Sequence, residues 1–169
     1  REAVSGSIDR HILEFLKSSN QGFAIRQGDR LVFVNQVFAD LCGYESPQAV
    51  LSLGSSLHLL AESERERISR YQVARDMGAE APAFYELQAI RKDGAIWWAE
   101  NRVQDVAWNG EPAVMITVND ITERREAENA RHRDEAKFRS LLEESELGVA
   151  IRRDDKMVFA NQAYADVFG

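Results

Sequence analysis

Apolar positions recur along this chain with a helical period in some segments and alternate with polar positions in others. A helical period predicts a helix over residues 7–19, with an apolar face formed by Ile8, Ile12, Phe15 and Leu16. Two short strands follow at residues 23–27 and 31–34, because the Gly-Asp pair between them is a hairpin signal. These patterns place a helix and a β-hairpin at the start of the first domain.

The rest of this domain follows from the same two periods. Asn35 precedes a short helical pattern and is expected to cap that helix, and a charged helix is predicted over residues 62–77. Lys-Asp-Gly and Asn-Gly turns then separate three longer strands, which we predict at residues 84–91, 96–106 and 113–119. The order β-β-α-α-α-β-β-β predicts an α+β fold, with an antiparallel sheet and the helices on one face.

The last strand has an apolar side chain at most positions on both faces. Val114, Ile116 and Val118 are expected to face the helices, whereas Ala113, Met115 and Thr117 point to the other side. The second face therefore needs a cover. We expect the helix at residues 7–19, or a second copy of the chain, to supply it.

Residues 120–146 contain neither glycine nor proline and are about half charged, which predicts one linker helix roughly 40 Å long. Asp120 and Glu123 resemble a capping box at its start, and Glu135 with Arg139 has the spacing of an exposed ion pair. Positions three and four residues apart could form a weak coiled-coil seam along this helix: Ala127, Ala130, Asp134, Phe138 and Leu141. A solvated single helix that acts as a spacer is the alternative.

An internal repeat without gaps relates the two ends of the chain. Gly22 and Gly148 begin matching segments with an offset of 126 (148 − 22), and this offset pairs the segment at residues 33–43 with residues 159–169. It also aligns the end of the linker helix with the first helix. We therefore predict four regions: an N-terminal helix (1–21), a complete domain (22–120), a linker helix (121–146) and the first part of a second domain (147–169). That last part lacks the strands that would complete its sheet, so we expect it to be disordered or covered by another chain.

Composition excludes several classes of function. The net charge of −7 argues against nucleic-acid binding, and no apolar run approaches the roughly 20 residues that span a bilayer, so no direct membrane contact is expected. The single cysteine, Cys42, lies in an apolar helical pattern and is interpreted as a core thiol in a reducing compartment. We expect a cytoplasmic segment, although a longer protein could carry a membrane anchor.

Several motifs, in their order and spacing, resemble those of bacterial sensory PAS domains of the S-box type. They are Phe33-Val-Asn-Gln-Val-Phe38, Gly43-Tyr44, Arg91-Lys-Asp-Gly94 with Trp98, and Asp120-Ile-Thr-Glu-Arg124. The resemblance covers one complete domain and the start of a second, tandem one. It implies a five-stranded sheet in the order 2-1-5-4-3 around a small cavity, in a module that senses, dimerises or relays.

Candidate chemistry is sparse. His58 is a possible haem ligand, but family haem ligands usually lie on the long helix before the third strand, and residues 62–77 contain no histidine. His11 and His132 lie among charged helical positions and are interpreted as solvated. His132 also lacks the Leu-Arg-Thr-Pro sequence that follows the phosphoacceptor of histidine kinases, so that role is not expected. A photoactive flavin cysteine is missing; non-covalent flavin, with Trp97, Trp98 or Trp108 stacking, or another small ligand stays open. No catalytic or metal motif is present, so no cofactor and no enzyme activity are predicted for this segment.

The sequence therefore predicts a regulatory module of a multi-domain bacterial signalling protein. Asp120, Ile121 and Thr122 are expected to relay a change from the sheet into the linker helix and on to a downstream PAS domain and effector, a histidine kinase or a cyclic-dinucleotide enzyme. A homodimer is expected, with a seam formed by Ile12, Phe15, Leu16, Ala127, Ala130, Phe138 and Leu141. The alternative is a dimerisation spacer that binds no ligand.

Overall fold

The computed structural model describes residues 10–168, which form two compact units that divide after Thr122. The predicted start of the first helix, at residue 7, lies outside the described residues. Between residues 10 and 168, no helix is both long and apolar enough to cross a lipid bilayer. Each unit is described separately below.

The first unit contains one sheet and four α-helices within the described part of the chain. The helices are α1 (Arg10–Ser18), α2 (Gln36–Leu41), α3 (Pro47–Leu51) and α4 (Glu62–Asp76). The strands are β1 (Gly22–Gln27), β2 (Arg30–Val34), β3 (Phe84–Ile90), β4 (Ile96–Trp108) and β5 (Glu111–Asp120). They pair antiparallel in the order β2-β1-β5-β4-β3, as predicted.

The two faces of the sheet pack against different partners. Ile116 and Val118 belong to the main apolar core, whereas Ala113 and Met115 belong to a second cluster on the opposite face. Leu16 of α1 packs into this second cluster and is only 2% exposed. The predicted faces are therefore confirmed for these four residues of β5, and α1 supplies part of the cover for the second face.

The second unit contains α5 (Thr122–Glu143) from residue 123 onward, a hairpin of β6 (Ala150–Arg153) and β7 (Lys156–Ala160), and α6 (Gln162–Phe168). The expectation of disorder is therefore wrong for residues 150–168. Val158 is nevertheless 58% exposed and Ile151 38% exposed, whereas Ile25, the repeat equivalent of Ile151, is fully buried. The difference arises because β5 pairs with β1 in the first unit and covers this position, while the hairpin of the second unit has two strands only.

The start of the linker helix differs from the predicted capping box. Asp120 Oδ1 accepts a hydrogen bond from the backbone N–H of Thr122, two residues ahead, which is the geometry of an Asx turn. The helix starts at Thr122 and ends at Glu143, three residues before the predicted end. Along this helix Glu135 forms its ion pair with Arg131, at 3.7 Å, and the expected pairing with Arg139 is not the one observed.

Candidate functional site

A cavity of about 60 Å³ lies in the main core, between the helices and the sheet. Its lining is mostly apolar and includes Cys42, Leu87 and Trp97. Four polar side chains also line it, contributed by the start of a 3-10 helix, α4, β3 and β4: Ser56, Gln72, Tyr85 and Asn101. The cavity is thus an apolar pocket with a few polar groups, the composition typical of a small-molecule site.

The polar side chains of the cavity form two pairs. Gln72 Nε2 donates to Ser56 Oγ at 3.0 Å. Tyr85 lies directly opposite Asn101 in the β3–β4 ladder. Burial raises the pKa of Tyr85 above its ordinary value, although the nearby Asn101 amide and nearby arginines oppose the rise. The phenol therefore stays protonated at neutral pH.

Cys42 also lines the cavity, at the C-terminal end of α2. Burial raises the pKa of its thiol to about 12, and the positive charge of Arg91 lowers that value only in part. A thiol with this pKa carries almost no thiolate at neutral pH and is a poor nucleophile. The interpretation of Cys42 as a core thiol is confirmed.

Arg91 joins the cavity wall to the end of the sheet. Its guanidinium lies 4.9 Å from the centre of the Trp97 ring, a cation–π distance. Its Nη2 also donates to Asp120 Oδ2 at 2.8 Å, and its Nη1 donates to the backbone carbonyl of Leu41 at the end of α2. One side chain therefore contacts a residue of the cavity wall, a helix end and the last residue of β5, two residues before the linker helix begins.

Asp120, Ile121 and Thr122, the three predicted relay residues, lie together in this junction. Asp120 Oδ1 accepts from the N–H of Thr122 at 2.9 Å and from its hydroxyl at 2.6 Å. Partial burial opposes ionisation, but these bonds and Arg91 hold the pKa of Asp120 below its ordinary value. The backbone of Trp98 is hydrogen bonded to the two residues that follow Asp120. Its N–H donates to Thr122 Oγ1 and its carbonyl accepts from the N–H of Ile121, each at 2.9 Å. The start of the linker helix is thereby tied to β4.

Asn35 caps α2, as predicted, and also makes contacts that the sequence did not reveal. Its Oδ1 accepts from the N–H groups of Phe38 and Phe23, while its Nδ2 donates to the carbonyls of Leu16 and Gln21. A single buried side chain thus joins the end of α1, the start of β1 and the start of α2. The internal repeat is the signal that could have pointed to this role, because it preserves the asparagine.

Asn161 repeats this arrangement in the second unit. Its Oδ1 accepts from the N–H groups of Val149 and Tyr164, and its Nδ2 donates to the carbonyls of Leu142 and Leu147. Leu142 lies in the last turn of α5. The end of the linker helix is therefore fixed to the hairpin and helix that follow it.

The predicted seam residues fall into two groups. Ile12, Phe15, Phe138 and Leu141 are 45–65% exposed, and Ala127 and Ala130 are also exposed. Leu16 differs, because its side chain is already buried against the second face of the sheet. Its apolar surface is used within the chain, which leaves the other positions as the accessible part of the seam.

The remaining candidate ligands are dispersed. His58 and His132 are exposed, and the side chain of His11 lies outside the described part of the chain. Trp97 lines the cavity, whereas Trp108 packs against Phe33 on the opposite face, with 5.6 Å between ring centres. Among the residues searched, which are the described ones, no three His, Cys, Asp or Glu side chains are grouped to hold a metal.

The sequence reasoning missed three residues of this site: Arg91, Tyr85 and Asn101. From the sequence, Arg91 is only the first residue of the Arg91-Lys-Asp-Gly94 motif, and no contact is predicted for its side chain. The turn within this motif fixes the β3–β4 register and so places Tyr85 opposite Asn101. That pairing could have been predicted from the turn, but its position inside a cavity could not.

Comparisons with known proteins agree with this architecture. A family model described as a PAS domain matches residues 20–123, and a second PAS domain model matches residues 136–169. No curated protein matches the chain.

Several solved structures are similar. One is the PAS domain of a Desulfitobacterium hafniense protein, with 18% identity, a TM-score of 0.55, and coverage of 63% of this chain and 98% of that one. A second is a sensory box histidine kinase/response regulator from Burkholderia thailandensis, with 18% identity, a TM-score of 0.57, and coverage of 78% and 100%. A third is an RNA-binding light-oxygen-voltage receptor, with 21% identity, a TM-score of 0.59, and coverage of 80% and 41%. At these identities the likeness shows the fold alone.

Proposed function

Because this chain belongs to the PAS domain family, with a complete domain followed by the first part of a second one, we propose that it is a sensory relay module. A change at the cavity of the first domain alters the start of the linker helix, and the linker helix passes the change to the next domain. The contact of Arg91 with both Trp97 and Asp120 carries this proposal.

The first step of the relay runs through Arg91. The Arg91 guanidinium lies over the Trp97 ring, so movement of Trp97 in the cavity wall changes the preferred position of the guanidinium. The ion pair between Arg91 and Asp120 then becomes weaker or stronger, and the hydrogen bonds that Asp120 accepts from Thr122 change in strength as a result. Little energy is required, since a tenfold preference of a ligand for one state supplies about 1.4 kcal/mol.

The second step uses the distal end of the linker helix. Asn161 holds the Leu142 carbonyl of the last helical turn together with the first strand and the last helix of the second unit. Rotation or axial shift of the helix therefore acts directly on the elements of the next domain. This contact gives the helix an input role that a flexible spacer would lack.

We also propose that the chain forms a homodimer. The exposed apolar residues of the linker helix favour pairing with the same helix of a second chain. The histidine kinase among the similar structures supports a kinase as the effector, and a cyclic-dinucleotide enzyme is the other candidate. In either case the effector receives the signal and this segment performs no catalysis.

Amide hydrogen exchange at the start of the linker helix tests the relay. Leu87→Val removes one methylene from the cavity wall, and Ile25→Val removes one from the opposite face of the sheet. We expect Leu87→Val to change the protection of residues 121–126 by about threefold or more, and we expect this response to disappear when Arg91 is replaced by Met.

Ile25→Val is the matched control, because it perturbs the same sheet from its other side. Equal effects of Leu87→Val and Ile25→Val would contradict a route that starts at the cavity. A response that persists in the Arg91→Met background would contradict the role of Arg91. The spacer hypothesis expects neither the difference nor its dependence on Arg91.

A further inference from the structure

The polar end of the cavity contains an unused hydrogen-bond acceptor. Within residues 10–168, Asn101 Oδ1 is buried and has no hydrogen-bond partner. Burial of an amide oxygen without a partner costs roughly 1–3 kcal/mol, so the site favours a guest that donates a hydrogen bond. Asn101 lines the cavity, which gives such a guest access to it.

A donor lies beside this acceptor. Tyr85 is the direct cross-strand partner of Asn101 and also lines the cavity. Burial keeps its phenol protonated at neutral pH, so the side chain carries one O–H that can donate. The two residues therefore offer one acceptor and one donor on adjacent strands, separated by about 5 Å at the backbone.

The charges around this pair do not favour an ion. None of the side chains that line the cavity, all of them among the described residues, is charged. The three arginines near Tyr85 have acidic partners: Arg75 lies 3.6 Å from Asp105, Arg26 bonds Asp76 at 2.9 Å, and Arg67 bonds Glu64 at 2.6 Å. A carboxylate guest would lose its hydration and would face the oxygen of Asn101, so a neutral guest is favoured.

The cavity volume limits the size of the guest. About 60 Å³ is less than half of the roughly 150 Å³ that accommodates benzene in an engineered protein cavity. A molecule of about three to five non-hydrogen atoms fits this space, whereas haem or flavin would require the walls to move apart. The size and the polar pair point to the same kind of molecule.

We propose that Tyr85 and Asn101 form a subsite for a small neutral molecule whose hydrogen-bond acceptor and donor are attached to the same carbon atom, as in a short primary amide. The acceptor of the guest receives the Tyr85 O–H, and its N–H donates to Asn101 Oδ1. This subsite rests on the proposed sensory function, for which it supplies the chemical class of the signal.

Three probes of equal size and nearly equal shape test the subsite: acetamide, acetone and acetate. Each has four non-hydrogen atoms, but acetamide has both a donor and an acceptor, acetone has only an acceptor, and acetate is an anion. Each probe is titrated into the isotope-labelled 169-residue chain at pH 7, and NMR follows the Asn101 side-chain amide and the Trp97 indole N–H. We expect saturable shifts with acetamide at a dissociation constant of roughly 1–10 mM, and at least fivefold weaker binding of the other two.

Two substitutions remove the polar pair with little change of shape. Tyr85→Phe removes the donor and Asn101→Leu removes the acceptor, and each should weaken acetamide binding about fivefold to tenfold. Gln104→Leu is the matched control, since it changes a polar residue of the same strand to leucine at an exposed position. The control should bind acetamide as the unchanged protein does.

Equal binding of acetone and acetamide would overturn the subsite, as would linear, non-saturating shifts or binding that survives both substitutions. In that case an ordered water molecule would be the remaining candidate for the partner of Asn101 Oδ1. They would not affect the proposed relay, because the exchange experiment on Leu87 and Arg91 needs no ligand. Conversely, the acetamide titration does not depend on the relay, so a negative result of the exchange experiment would leave acetamide binding unaffected.

Discussion

The side-chain amide of Asn161 donates a hydrogen bond of 2.9 Å to the backbone carbonyl of Leu142, in the last turn of the linker helix. Asn35 makes the equivalent bond, also 2.9 Å, to the carbonyl of Leu16 in the first unit. In both places one asparagine also receives hydrogen bonds from the first strand that follows, or the residue just before it, and from the next helix. The repeat thus conserves within one chain the way in which a preceding helix is attached to its domain.

Asn161→Leu should detach the linker helix from the second unit. The substitution leaves the N–H of Val149 without its acceptor, and an unpaired group of this kind costs roughly 1–3 kcal/mol. The N–H of Tyr164 keeps a second acceptor, the backbone carbonyl of Asn161 at 3.1 Å. We expect amide hydrogen exchange at Val149 to accelerate about tenfold or more and exchange at Tyr164 to change much less, as measured by NMR.

Two further substitutions delimit this result. Gln162→Leu changes the neighbouring exposed residue and should leave both exchange rates unchanged. Asn161→Asp retains the acceptor oxygen but loses the donor to Leu142, so protection at Val149 should be partly retained. Unaltered exchange in Asn161→Leu would show that the hydrogen bonds do not hold these elements together.

Asp120→Asn should reduce stability in a pH-dependent way. A carboxyl whose pKa is lower in the folded chain stabilises the fold above its ordinary pKa, near 3.9, and this contribution is lost as the pH falls through the folded value. The difference in unfolding free energy between the unchanged protein and the variant should therefore be largest near pH 6–7. It should shrink below about pH 4, as measured by denaturant titration.

The partner of Asp120 supplies a second check. Arg91→Met removes the ion pair, so the unfolding free energy of this variant should depend less on pH than that of the unchanged protein, as for Asp120→Asn. A difference between Asp120→Asn and the unchanged protein that is constant from pH 7 to pH 3 would mean that Asp120 gains no stability from ionisation in the folded state.

Cys42 should be almost inert in the folded protein. Its thiol is 2% exposed and has a pKa of about 12, so the reactive thiolate is scarce at pH 8. Alkylation by iodoacetamide should be at least about a hundredfold slower than in the chain unfolded by guanidinium, with mass spectrometry as the readout. Comparable rates in the two states would indicate that the thiol becomes accessible in the folded ensemble.

Phe138→Glu should weaken self-association of the linker helix. Phe138 is 59% exposed at a seam position, and a carboxylate there would place like charges opposite each other in a paired helix. We expect the dimer dissociation constant from sedimentation analysis to rise about tenfold or more. Asn129→Glu, at an exposed position outside the seam, should have a much smaller effect. If the protein is monomeric at every concentration before substitution, the seam does not form.

The sequence by itself determined the order of the elements, the turns that join them and the faces of β5. These features depend on the local geometry of the chain, because a strand alternates with a period of two and a helix repeats every 3.6 residues. The repeat also located the second domain and identified Asn35 and Asn161 as equivalent. Asp120, Ile121 and Thr122 could be placed together for the same reason, since they are adjacent in the chain.

Only the tertiary structure decided which distant side chains meet. Asp120 pairs with Arg91, 29 residues earlier in the chain, and Arg91 in turn covers Trp97. Contacts of this kind depend on side-chain rotamers and on how two elements pack, and local periodicity constrains neither. The same holds for the burial of Leu16 beneath the sheet and for the cavity beside Tyr85, whose volume is what remains after all the surrounding side chains are packed.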